Sequence, residues 1–188
     1  MAPESALPLP NLAILRGNQL EGDRVQQGKP MTSSHRPTDR PSRTATRLQG
    51  GIGAGTPVLT LDGYLPVEYL TPGDRIVTRA GARTLSDVSW RLAMGPVILV
   101  PSSAIGHGLP RRDVIVARNQ TILVRDWRAR TLYGADEALV PAERMADGGT
   151  IRAINRPDLR LFTLSFPDLA VIYAGEVELG CIPARVTA

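Results

Sequence analysis

From Gly55 onward, apolar residues come in short clusters broken by turn formers, the spacing of strands rather than helices. Thr56–Leu61 (TPVLTL) is a β-branched run that ends at Asp62-Gly63, a hairpin signal. Leu65, Val67, Tyr69 and Leu70 lead into the turn Thr71-Pro72-Gly73-Asp74. Arg75–Thr78 is a short strand turned by Ala80-Gly81, and Leu85–Leu92 alternates through Leu85, Asp87, Val88 and Trp90. Val97–Val100 (VILV) reads as a buried strand. Val114–Ala117 and Thr121–Val124 flank Arg118-Asn119-Gln120, and Leu161–Ser165 and Leu169–Tyr173 flank the turn Phe166-Pro167-Asp168. Asp136–Ala146 alone reads as partly helical, interrupted by Pro141. The prediction is an all-β domain, a compact sandwich or barrel-like coil.

The pattern changes near residue 50. Residues 1–50 contain no Phe, Trp or Tyr, and Met31–Gly50 is nearly pure Ser/Thr/Arg/Pro. Such a segment buries too little apolar surface to offset the entropy of ordering it, so residues 1–50 are expected to be a disordered basic tail. Leu12, Ala13, Ile14, Leu15 and Leu20 offer a short docking patch within it, although a fraying tail is the favoured reading. Met31 is an alternative start. Residues 51–188 are then the folded domain.

Composition sharpens this division. Of 188 residues, 43% are hydrophobic, enough for a core, and 18 Gly with 16 Pro favour many short elements. The net charge of +4 points to a nucleic-acid binder until it is placed: residues 1–50 carry +3, the rest +1. No apolar run approaches the ~18 residues of a membrane-spanning helix. The acid at Glu4 and the early prolines make a poor secretory signal, leaving cytoplasm as the default compartment.

One cysteine excludes an internal disulfide, and His35, His107 and Cys181 lie too far apart in sequence for a zinc site. No cofactor or metal is expected. The run Gly50-Gly51-Ile52-Gly53-Ala54-Gly55 follows a polar tail and precedes Pro57, so it reads as a flexible hinge, not a dinucleotide loop. His107 with Ser102, Ser103 and Asp113 offers a nucleophile, base and acid on paper, but Gly106-His107-Gly108 reads first as a loop tip. Cys181 is either a small buried side chain or an exposed thiol, with nothing nearby to depress its pKa. Arg111, Arg112, Arg118, Arg125, Arg128 and Arg130 surround Trp127, which suits phosphate contacts and stacking. A solvated face offset by Asp113, Asp126 and Asp136 is favoured over that nucleic-acid site.

The stretch Gly55–Thr78 (GTPVLTLDGYLPVEYLTPGDRIVT) resembles the opening of the Hint domain, the Hedgehog/intein autoprocessing module. Gly106–Asp113 (GHGLPRRD) followed by Val114–Val124 resembles the second block of bacterial Hint-domain proteins. Arg130–Gly134, Ala138–Ala142 and Val171–Ala174 extend the resemblance over about Gly51 to Arg185. It implies an all-β, horseshoe-like fold with pseudo-twofold halves. In that family a Cys or Ser attacks the preceding peptide bond, and a His assisted by a Thr or Ser exchanges the proton. The resemblance places those three positions on Gly51, Gln120 and Ala117, none of which carries the required group. No His-Asn pair closes the domain.

The expectation is therefore a catalytically degenerate Hint domain acting as a binding or structural module toward an unidentified protein partner. One alternative is residual self-cleavage near Gly51 through an unorthodox nucleophile such as Thr56. Another is anion or nucleic-acid binding through the arginines.

Overall fold

The computed structural model describes residues 13–14, 50–106, 108–181 and 183. The expected tail lies outside them, except for β1 (Ala13–Ile14). That strand pairs in parallel with Ala138 and Leu139; the other residues of the expected docking patch, Leu12, Leu15 and Leu20, lie outside the described residues.

Two sheets make up the body. The larger holds β3 (Pro57–Thr60), β4 (Gly63–Pro66), β5 (Arg75–Thr78), β6 (Gly81–Thr84), β10 (Thr121–Val124), β11 (Ala138–Pro141), β14 (Ala170–Ala174) and β15 (Val177–Cys181), with β1 at one edge. The smaller runs in the order β12 (Arg152–Ile154), β8 (Val97–Val100), β9 (Val114–Ala117), β2 (Ile52–Gly53), β13 (Arg160–Ser165), β7 (Asp87–Leu92). The main core contains Ile52, Val58, Ile76, Ile98, Val116, Ile122, Phe162, Phe166 and Ile172, drawn from both sheets. The all-β expectation holds at each of the strands read from alternation.

Two hairpins use one device. In Thr60-Leu61-Asp62-Gly63 the buried Thr60 hydroxyl donates to Gly63 O (2.8 Å) and accepts from Asp62 N–H (3.1 Å). In Thr78-Arg79-Ala80-Gly81 the Thr78 hydroxyl does the same with Gly81 O (2.6 Å) and Ala80 N–H (3.1 Å). Each turn closes on a glycine at positive φ (+110° and +91°), a conformation that costs a side-chain-bearing residue energy.

Three expectations are corrected. The partly helical reading of Asp136–Ala146 holds only after Pro141, in the turn Ala142–Met145; Ala138–Pro141 instead pairs antiparallel with β10. Burial of Ala138, Leu139 and Val140 between neighbouring elements overrides local propensity. A helix instead spans Trp127–Tyr133, capped by the Asp126 carboxylate accepting from Arg128 N–H (2.9 Å) and closed by Gly134 in the left-handed region. The glycine run is no hinge. Gly51, Ile52 and Gly53 are buried, and β2 lies between β9 and β13 inside the smaller sheet.

Candidate functional site

β9 and β10 are consecutive strands but belong to different sheets, so Arg118-Asn119-Gln120 is a crossover. The crossover is fixed by backbone bonds. Gln120 N–H donates to Ala117 O (3.0 Å), while Ala142 N–H and Glu143 N–H, opening the turn Ala142–Met145, donate to Gln120 O (2.8 Å) and Arg118 O (2.9 Å). Arg118 also pairs with the Glu143 carboxylate (2.9 Å). This anchoring turns Gln120 inward, where it is 4% exposed.

Its side chain meets the Gly50–Gly51 peptide. Gly51 N–H donates to Gln120 Oε1 (2.9 Å), and Gln120 Nε2 donates to Gly180 O (2.8 Å) and Thr121 O (3.1 Å). The orientation of the amide follows: its oxygen faces a donor, and both of its N–H groups face carbonyls. On the other side of the same peptide, the Thr163 hydroxyl donates to Gly50 O (3.2 Å). Both polar ends of one peptide bond are thus held by side chains, one from the crossover and one from β13.

Packing closes the space around it. A Cβ built on Gly51 would stand 3.1 Å from Leu161 Cβ and 3.4 Å from Ala117 Cβ. Two of the three positions indicated by the resemblance are joined directly, Ala117 N–H donating to Gly51 O (2.8 Å), and the third, Gln120, accepts from Gly51 N–H. Thr163 and Gly180 carry no sequence signal: Thr163 is an ordinary alternating position in β13, and its role appears only when β13 packs beside β2.

The other candidates are elsewhere. Thr56 is buried with its carbonyl accepting from Val67 N–H (2.9 Å), and its methyl would lie 3.2 Å from a Cβ on Gly175. Cys181 is buried in the main core, and burial pushes its thiol up to about 12, so it stays protonated at neutral pH. Asp113 accepts from Ser102 N–H (3.0 Å) and so acts as a loop brace, while His107 lies outside the described residues. No group of three or more metal-ligating side chains occurs among the described residues. Among them, too, no helix is long and apolar enough to cross a membrane.

The arginines are engaged by acids. Arg125 pairs with Glu178 (2.7 Å), Arg128 with Asp126 (2.6 Å), Arg130 with Asp136 (2.8 Å) and Arg111 with Glu176 (3.5 Å). Burial opposes ionisation of Asp126, but the Arg128 hydrogen bonds outweigh it and hold the carboxyl below its usual range. Asp126 and Asp136 offset the arginines as expected, whereas Asp113 does not.

The architecture has counterparts among solved structures. The bacterial intein-like domain from Clostridium thermocellum superposes with a TM-score of 0.52 at 12% identity, covering 71% of this chain and 98% of that one. The MchDnaB-1 intein gives 0.45 at 16% identity, covering 68% and 98%, and the gp41-1 intein gives 0.43 at 12%, covering 69% and 97%. At such identities the likeness is one of fold. No curated protein sequence matches significantly. The model of the Hint domain matches residues 52–180, well over half of the sequence, and the chain belongs to the Hint-domain family.

Proposed function

We propose that this Hint domain is catalytically silent and serves as a binding or structural module, with residues 51–188 as its working unit. The observation that carries the reading is the hydrogen bond from Gly51 N–H to Gln120 Oε1. Cleaving the Gly50–Gly51 bond by an acyl shift requires attack on the Gly50 carbonyl carbon and a proton delivered to the departing nitrogen. Gly51 has no side chain to attack with. Gln120 presents a lone pair where a proton is needed, and its own N–H groups are committed to Gly180 O and Thr121 O. An acceptor on the amide N–H stabilises the intact peptide.

Residual self-cleavage is the second reading, and one contact favours it. The Thr163 hydroxyl sits on Gly50 O, where it would stabilise negative charge developing on that oxygen. A charge-stabilising donor alone leaves the attack and the proton transfer unsupplied, so the silent reading is preferred.

Intact mass after prolonged incubation, with and without a strong thiol nucleophile, tests the choice. The full chain should stay whole in both. Fragments separated between Gly50 and Gly51 in a protease-free preparation would overturn the proposal. Reinstating chemistry takes more than restoring the reacting groups. Gly51→Cys with Gln120→His should form a thiol-trappable thioester only when Leu161→Gly makes room, because the new Cβ meets the Leu161 Cβ. Ala117→Thr would add atoms on the opposite side of that same crowded position.

A further inference from the structure

The rim of the smaller sheet carries features that the reading above leaves unused. Among the described residues β7 pairs only with β13 and forms the sheet edge. Ala93 N–H donates to Leu159 O (2.9 Å), which continues the β7–β13 register by one residue pair. The odd-numbered residues of β7 therefore turn their backbone groups toward β13, and Val88, Trp90 and Leu92 turn theirs outward. Such an open row of N–H and C=O groups is a template for another strand, ordinarily blunted by lysine, proline or a bulge. The strand Asp87-Val88-Ser89-Trp90-Arg91-Leu92 contains neither Lys nor Pro.

Its side chains are equally unlike a protected edge. Trp90 is 59% exposed and Leu92 52%, and Met94 just beyond is 88% exposed. The Arg160 guanidinium lies over the Trp90 and Phe162 rings (6.0 and 5.7 Å), which orders the indole while leaving it in contact with water. On the other face, Arg91 Nε is buried without a hydrogen-bond partner. Burial pushes the Arg91 guanidinium's pKa down, as expected of a cation partly withdrawn from water and lacking an acceptor.

We infer that β7 is a homodimerisation edge, at which two copies of this chain pair their Asp87–Leu92 strands antiparallel about Ser89. In that register Asp87 of each copy faces Arg91 of the other, and Val88 faces Trp90. The Asp-to-Arg order along one face is its own complement when the direction is reversed, so the second copy sets a carboxylate opposite each Arg91. The outward backbone groups of Val88 and Trp90 meet their counterparts, Arg91 gains a carboxylate acceptor, and the indole is covered.

Sedimentation equilibrium of the full chain over roughly a 100-fold concentration range should show a reversible monomer–dimer equilibrium, weak as small interfaces are. In a Trp127→Phe background, Trp90 emission should shift to the blue as dimer forms. Asp87→Arg, at an exposed position, replaces two opposite-charge pairs with two like-charge pairs and should weaken the dimer about tenfold or more. Mixing it with Arg91→Asp should restore association as a heterodimer. Trp90→Lys, also at an exposed position, should dissociate the dimer without altering the charge order. A monomer at every concentration, leaving the edge to a strand of a different chain, overturns the inference. So does a dimer that persists unchanged in Asp87→Arg or Trp90→Lys, both checked for folding by circular dichroism.

Discussion

β2 and β7 belong to the same sheet and differ in what surrounds them. β2 lies inside it, and its own Gly53 marks where the neighbouring β9 comes too close for a side chain: a Cβ there would fall 2.8 Å from Ile115 O. β7 lies at the rim and carries a tryptophan and a leucine in water. Residue choice inside the sheet is set by packing on both sides, whereas at the rim nothing within the described residues dictates it. The lesson bears on the Gly50–Gly51 site. Gly51 is not a vacancy awaiting a cysteine, because Leu161 and Ala117 occupy the ground that a side chain would need.

The comparison can be broken from the inside outward. Gln120→Leu should have the largest effect, a loss of about 3 kcal/mol by chemical denaturation, because the buried Gly51 N–H loses its partner and Gly180 O keeps only the Thr121 hydroxyl. Gly53→Ala should follow at about 2 kcal/mol, since the clash is with backbone that cannot rotate away. Cys181 adds a pH dependence. Its folded pKa, about 12, lies above the unfolded 9.0, so its contribution is complete below pH 9 and declines as pH rises from there toward 12. Unfolding midpoints compared at pH 8 and pH 10 should show a loss of about 1 kcal/mol that Cys181→Ala lacks. Gly51→Ala should cost about 1 kcal/mol, because the new Cβ presses at 3.1 and 3.4 Å on the Cβ atoms of Leu161 and Ala117, which move only with their strands. Trp90→Ser at the rim should change monomer stability by less than about 0.5 kcal/mol. A rim substitution as damaging as Gly53→Ala would show that β7 belongs to the interior after all.

Much of this fold was legible because alternation and turn chemistry agree along the chain. Thr60 and Thr78 each stand three residues before a glycine, and both form the hairpins that the spacing suggests. The helix Trp127–Tyr133 escaped because it is short and only Ala129 in it is buried, although Asp126 and Gly134 bracket it as cap residues do. Ala138–Val140 reads as helix in isolation and becomes strand because β10 offers it a ladder, which no local pattern reveals. The glycine run fails for a related reason: whether Gly-Gly-Ile-Gly hinges or packs depends on Leu161 and Ile115, far along the chain. Gly51, Ala117 and Gln120 could be singled out only through the family resemblance. Thr163 was out of reach altogether.

The Gln120 side chain has one more consequence, and it is mechanical. One amide grips the chain just before β2, at Gly51, and near the end of β15, at Gly180. Residues 51 and 180 are thereby held side by side, and tension applied across them would load this short cross-tie together with the sheet bonds at Gly50 and Gly51.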